Sequence, residues 1–264
     1  MAEPANELVL IGGGNMGSAL LGGLVAAGWD PAGIVVVELD AAKRRSLEDR
    51  FGVRTSGVTV AGRGAVIAVK PGDAVAVCAE VASLGTPRAL SIAAGISAAT
   101  LQEAAGASCA VVRAMPNTPA LVGEGATAIT GSAACSDGDL AWAERVLSSV
   151  GLVVRVPESQ MDAVTAVAGS GPGYLFLVAE CLLEAAVAEG LPADVADALV
   201  RQLFKGAGAL LASSPESPAQ LRANVTSPNG TTFAGLGVFE QDGLRAMVHK
   251  AVRAAASRSA EMGR

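Results

Sequence analysis

Leu8-Val9-Leu10-Ile11-Gly12-Gly13-Gly14-Asn15-Met16-Gly17 decides the fold of the first half of this chain. The apolar run reads as a short buried strand over Glu7 to Ile11, and Ser18 to Ala27 reads as a helix. Gly12-x-Gly14-x-x-Gly17 joins the two. Gly12 permits the tight turn, Gly14 lets a pyrophosphate approach the backbone, and Gly17 lets helix and strand pack closely. The free N–H groups of the helix start then face the phosphates. A spacing of this kind alone is weak. Its placement between strand and helix, with the acidic Glu38 ending the next strand, points to a dinucleotide site rather than an ordinary glycine-rich turn. Glu38 suits the ribose hydroxyls of NADH and opposes a 2′-phosphate. Lys43, Arg44 and Arg45 could serve a 2′-phosphate, but they also read as a solvated helix face. The local reading leans to NADH.

Working outward, strands are expected at Ile34–Val37, Ala65–Val69, Ala89–Ile92, Cys109–Met115, Ala126–Thr130 and Leu152–Val156. Helices are expected between them at Ala41–Phe51, Asp73–Leu84, Thr100–Ala105 and Asp137–Val150. Short apolar strands alternating with helices predict an α/β fold, a Rossmann-like, mostly parallel sheet with helices on both faces. The period changes after Pro157, and no strand is expected beyond it. This divides the chain into a dinucleotide-binding domain, residues 1–157, and an all-helical substrate and dimerisation domain, residues 158–264. Pro172 to Glu189 reads as a helix apolar nearly all round, which a small helical domain cannot enclose by itself. It is expected to bury against a partner subunit. Ser170 reads as the cap of that helix in preference to a site residue. Gly190 and Pro192 close it and open the next, which runs to about Ser213.

Composition narrows the function. The chain has 264 residues, 51% of them hydrophobic and only 3% aromatic, so its core rests on Ala, Val, Leu and Gly. A net charge of −6, with no basic cluster beyond Lys43-Arg44-Arg45, argues against nucleic acid. Met1 to Glu7 lacks a basic leader region, and no stretch reaches membrane-spanning length; the most apolar, Gly173 to Gly190, carries Glu180, Glu184 and Glu189. A cytoplasmic protein without membrane contact is expected. Cys78, Cys109, Cys135 and Cys181 show no metal or redox spacing and read as reduced thiols. His249 is the only histidine, so no metal site and no His-centred triad are expected.

Three further segments carry chemistry. Lys70-Pro71 ends the strand at 65–69, on the edge where ligands bind in such sheets. Met115-Pro116-Asn117-Thr118-Pro119 ends another; Asn117 and Thr118 suit the wall of a nicotinamide pocket, or a plain turn equally well. Val225-Thr226-Ser227-Pro228-Asn229-Gly230-Thr231-Thr232 is hydroxyl-rich and uncharged between apolar helices, the composition of a small anion site or of a helix cap. A short-chain dehydrogenase needs a Lys four residues after its Tyr, but Val178 follows Tyr174. A β-hydroxyacid dehydrogenase needs a helical-domain Lys in a G-x-x-x-K context, which neither Lys205 nor Lys250 has. Oxidation of an alcohol needs a general base, and none stands out. Reduction of a C=N bond asks less, because an imine protonates far more readily than a carbonyl.

With these stretches assembled, the chain resembles the pyrroline-5-carboxylate reductase family. The resemblance runs through Gly12–Gly17, Ala68-Val69-Lys70-Pro71, Ser91-Ile92-Ala93-Ala94-Gly95-Ile96, Arg113–Pro119, Asp162–Thr165, Gly169-Ser170-Gly171-Pro172, and Val225–Thr232 followed by Gly235-Leu236. It implies NADPH- or NADH-dependent reduction of L-Δ1-pyrroline-5-carboxylate to L-proline. It also implies that Asn15 and Met16 hold the pyrophosphate with the glycines, and that Ala68, Val69, Lys70, Pro71, Ala94 and Asn224 lie at the cofactor. Backbone N–H groups around Ser227, Gly230 and Thr231 would take the substrate carboxylate, with the Thr232 hydroxyl at the ring nitrogen. The resemblance further implies a homodimer, alone or within a higher oligomer, each site built from one subunit's nucleotide domain and its partner's helices. The chain departs from the family pattern at Asn229, where a Gly is usual, and at Glu38-Leu39-Asp40, where residues suited to NADPH are usual. Asn tolerates left-handed backbone, so the turn can survive. Two other readings of the same residues are a reductase of another cyclic imino acid and a non-catalytic nucleotide-sensing dimer.

Overall fold

The computed structural model describes residues 6–263. The readings at Met1–Ala5 and the chain end at Arg264 lie outside the described residues. The chain divides into two compact units: residues 1–170 with 255–264, and residues 171–254.

The first unit is built on an eight-stranded sheet: β1 (Leu8–Ile11), β2 (Ile34–Val37), β3 (Arg54–Ser56), β4 (Ala65–Ile67), β5 (Arg88–Ser91), β6 (Ala110–Met115), β7 (Gly125–Gly131) and β8 (Gly151–Arg155). Its order is β3-β2-β1-β4-β5-β6-β7-β8. All pairings are parallel except β6 with β7. Helices α1 (Asn15–Ala26), α2 (Ala41–Phe51), α3 (Pro71–Ser83), α4 (Ala98–Ala105) and α5 (Asp137–Leu147) connect the strands. Alternation along β1 explains the layers. Leu8 and Leu10 join one apolar cluster with Leu20 and Leu24 of α1, Leu47 of α2 and Val146 of α5. Val9 and Ile11 face the opposite side, where Val81 of α3 packs beside them. β1 and β2 are therefore buried along their whole length, as parallel strands covered on both faces must be.

Local chemistry sets the ends of these helices. Asp40 caps α2, accepting the N–H groups of Ala42 at 2.7 Å and Lys43 at 3.2 Å, and Gly52 closes it in the left-handed region at φ 67°. Ser136 and Asp139 form a reciprocal capping box on α5. β3 was not expected. It is a three-residue edge strand with no buried position, so no apolar run announces it.

Beyond β8 the described residues hold no strand. A short helix α6 (Met161–Val164) passes through a π-helical turn, Thr165–Gly169, into α7 (Gly171–Ala188). This corrects two expectations. Ser170 does not cap the start of α7: its backbone is helical and its N–H donates to the Thr165 carbonyl at 2.8 Å, so the chain enters α7 from the π turn without a capping residue. The run Glu158–Ala188 spans 31 residues and holds an 18-residue window of mean hydropathy 1.4, long and apolar enough by length and composition to cross a membrane. Reading the helix from Pro172 had cut that stretch short.

The second unit contains α7, α8 (Ala193–Ser213), α9 (Pro218–Asn224), α10 (Thr231–Gln241) and most of α11 (Leu244–Met262). Gly190, at φ +96°, and Pro192 make the corner between α7 and α8. No residue of α7, α9 or α10 is buried, and in α8 only Ala196 is.

Candidate active site

β1 and β4 are neighbours in the sheet, yet the chain leaves β1 toward one edge and β4 toward the other. Such a switch point opens a crevice at the carboxyl ends of the two strands. The Gly12–Gly17 turn lies there. Gly12 has φ +106°, and a Cβ on it would stand 2.5 Å from the Ala68 carbonyl oxygen; a Cβ on Gly17 would stand 2.0 Å from the Gly12 carbonyl oxygen. Both glycines are therefore demanded by the protein's own packing. A Cβ on Gly14 would meet nothing within 4 Å. Gly14 is also the N-cap of α1 and supplies no side-chain acceptor. An uncapped helix start opening on clear space fits a pyrophosphate, which would take the N–H groups of the Asn15–Gly17 turn.

The strand ends complete the crevice. Glu38 Oε2 accepts the Gly13 N–H at 3.0 Å and fixes the turn against the end of β2. Ala68 and Val69 are half-buried after β4 and Lys70 is exposed. Lys70 is the N-cap of α3 without a capping side chain, and Pro71 is the first residue of that helix. Ala94, after β5, is half-buried. The neighbouring α4 differs, since Ser97 caps it, accepting the Thr100 N–H at 3.0 Å. Only the two helices flanking the switch point are left open to an outside anion among α1, α3 and α4. Asn117 is 8% exposed and spends both ends of its amide within the protein. It donates to the Ala168 carbonyl at 3.1 Å and accepts from the Ala126 N–H at 2.9 Å, tying the loop after β6 to β7 and to the π turn.

Residues not singled out for the site support it from behind. Arg113, 6% exposed in β6, pairs with Glu158 at 2.5 Å. Glu158 also accepts the Ala98 N–H at the start of α4, at 3.3 Å. Ser259 of α11 donates to Asp162 at 2.7 Å. Glu158 and Asp162 thus have structural roles. Burial pushes the thiol of Cys78 up to about 11 and that of Cys109 up to about 12, which keeps both protonated and unreactive at neutral pH. Among the described residues no cluster could hold a metal ion.

The hydroxyl-rich turn lies in the second unit. The Gly230 N–H donates to the Ser227 carbonyl at 3.0 Å, closing a turn over Pro228 and Asn229. Asn229 takes the left-handed conformation at φ 57°, as its side chain permits. A Cβ on Gly230 would stand 2.4 Å from Ser227 Oγ. Gly230 is the N-cap of α10, again without a capping side chain. The Thr226 hydroxyl is taken by the Arg222 carbonyl at 2.6 Å. Thr231 and Thr232 are exposed in the first turn of α10. The Asn224 amide accepts from Gln220 and donates to Glu216, both at 2.8 Å.

Comparison with known proteins places these features in one family. A family model described as pyrroline-5-carboxylate reductase dimerisation matches residues 158–262. One described as NADP oxidoreductase, coenzyme F420-dependent, matches residues 7–95. The chain is 41% identical to a pyrroline-5-carboxylate reductase of Corynebacterium melassecola, covering 97% of this chain and 98% of the relative. It belongs to the pyrroline-5-carboxylate reductase family. A Synechocystis member is also 41% identical, with 98% of each covered. The family's solved structures agree with the fold: the Coxiella burnetii reductase superimposes with a TM-score of 0.93 at 34% identity, covering 98% of this chain and 99% of that one. A Plasmodium falciparum member solved with NADP bound gives 0.84 at 28% identity over the whole of both chains.

Proposed function

We propose that this chain reduces L-Δ1-pyrroline-5-carboxylate to L-proline with NADPH or NADH, the last step of proline biosynthesis. The observation that carries the reading is likeness to reductases of that name over essentially the whole chain, not over the nucleotide unit alone. Bound reduced nicotinamide supplies the hydride that adds to C5 of the imine, and a proton from water ends on the ring nitrogen. The chain's residues bind and orient. The Gly12–Gly17 turn, with Asn15 and Met16, receives the pyrophosphate; Glu38 lies at the adenosine end; Val69, Lys70, Pro71 and Ala94 line the crevice. Asn117 holds the loop after β6 in place with one bond from each end of its amide, and a second amide hydrogen is left with which to meet the cofactor. The substrate carboxylate takes the N–H groups that open α10 around Thr231, with Ser227 and Gly230 shaping the turn. Thr232 hydrogen-bonds to the ring nitrogen. Support for that assignment is that among the described residues neither the Thr231 nor the Thr232 hydroxyl has a hydrogen-bond partner, whereas that of Thr226 does. Asn224 reaches the cofactor only if it gives up Gln220 or Glu216.

The protein is a homo-oligomer, and we take the pairing to be a dimer made through residues 158–262. The apolar run Glu158–Ala188 is then covered by a second copy, and the protein is soluble and cytoplasmic. A functional division at Pro157 follows the family model, which starts at residue 158, rather than the split between compact units after Ser170. The test is an absorbance assay of reduced-nicotinamide consumption with proline identified as the product. Consumption with a piperideine carboxylate and not with pyrroline-5-carboxylate would move the assignment to another cyclic imino acid. Cofactor binding without consumption of either would reduce the chain to a nucleotide-binding dimer.

A further inference from the structure

Three observations at the end of β2 bear on which reduced cofactor this chain takes. First, Glu38 is fixed rather than free. Its Oε2 accepts the Gly13 N–H and its Oε1 the Asp40 N–H, each at 3.0 Å. A carboxylate has room for further donors, so these bonds position Glu38 without exhausting it. Second, the start of α2 is already occupied. Asp40 Oδ1 accepts the N–H groups of Ala42 and Lys43. Those donors would otherwise offer an incoming phosphate its natural seat. The same two bonds, that of Lys43 first, hold the Asp40 carboxyl below its ordinary range, so it carries its charge at neutral pH. Third, Arg44 is turned onto the backbone. Its Nη1 donates to the carbonyls of Glu38 at 2.7 Å and Leu39 at 2.9 Å.

We infer that this chain selects NADH over NADPH, with Glu38 receiving the adenosine ribose hydroxyls, Glu38 and Asp40 repelling a 2′-phosphate, and Arg44 withheld from it. The inference rests on the nicotinamide-dependent reduction proposed above, but not on the identity of the imino acid. A ribose 2′-hydroxyl can donate to a carboxylate, whereas a 2′-phosphate has only acceptor oxygens and charge of the same sign to offer it. Attraction for one ligand and repulsion of the other act together, which is how discrimination exceeds affinity.

The experiment is equilibrium binding of the full-length protein to NADH and NADPH by calorimetry without imino acid, repeated with 5′-AMP and 2′,5′-ADP, which differ only by the 2′-phosphate. NADH is expected to bind at least about tenfold more tightly than NADPH, with the adenosine fragments in the same order. Glu38→Gln should bring the ratio to about one. It leaves one N–H unpaired, so its melting temperature is measured alongside. Asp40→Asn keeps both cap bonds, because a single oxygen accepts them, and removes only charge; it should lower the ratio by about two- to threefold. Equal affinity, or tighter NADPH, in the unaltered protein overturns the inference, as does a ratio that neither substitution moves. Selective NADH binding with no turnover of pyrroline-5-carboxylate would leave this inference standing and sink the proposed reaction instead.

Discussion

The two units spend similar apolar composition in opposite ways. In the first, strand and helix faces close on one another, and Leu8, Leu10, Leu21, Leu24, Val66 and Leu90 lose all or nearly all contact with solvent. In the second, Phe176 is 66% exposed, Leu203 55% and Phe233 55%. A twisted sheet offers two broad faces, and helices of the same chain suffice to cover them. Helices α7, α8 and α10 leave large apolar side chains exposed in the single chain. Fully burying each such side chain contributes about 1.5–3 kcal/mol, and the dimerisation model falls on this region. The nucleotide unit closes its own core, whereas the helical unit leaves its large apolar side chains uncovered in the single chain.

The largest expected effect is on the pairing. Phe176→Glu places a charge on the uncovered face of α7, and dissociation with loss of nearly all activity is expected, read by sedimentation and turnover. An active Phe176→Glu oligomer of unaltered mass would break the contrast. Next, Thr232→Ala should lower turnover roughly ten- to a hundredfold, as removal of a hydrogen bond worth about one to three kcal/mol does, with melting unchanged. Full activity would remove Thr232 from the ring nitrogen. Within the nucleotide unit, two glycines sharpen the distinction between packing and binding. Gly17→Ala should cost about 1–3 kcal/mol of stability through its clash with Gly12, whereas Gly14→Ala should leave melting unchanged and weaken nucleotide binding several-fold, since its methyl meets only open space. The reverse pattern would exchange their roles. The smallest effect is chemical labelling. Cys78 and Cys109, buried and protonated, should resist a thiol reagent until unfolding in any assembly. Cys181 on α7 is exposed in the single chain and should react on dissociation and be protected in the oligomer. Equal Cys181 rates in both states would mean that α7 is not covered there.

Much of this was legible in the order of residues. The helix Ala41–Phe51 is bounded by Asp40 and Gly52, each of which acts on its own helix end. Gly12 and Gly17 announce close approach, and Asn229 announces left-handed backbone. The start of α7 is legible to within one residue, but Ser170 does not cap it, because the chain enters helically through the π turn. The pairing of Arg113 with Glu158 was invisible: nothing in either residue's surroundings in sequence names the other.

The amino-acid order alone determined the alternation of strands and helices, the glycine-rich turn, the hydroxyl-rich turn and the change of period after Pro157. These depend on sterics and hydrogen bonds among residues a few positions apart. Tertiary structure alone decided the strand order, the antiparallel β7, the use of both Asn117 amide ends, and the seating of Glu38 on Gly13 with Arg44 drawn onto the strand end. Most of these join groups far apart along the chain, and even the Arg44 contact depends on how a helix is laid back over its strand, so they exist only once packing against the sheet has chosen among the partners that local chemistry leaves open.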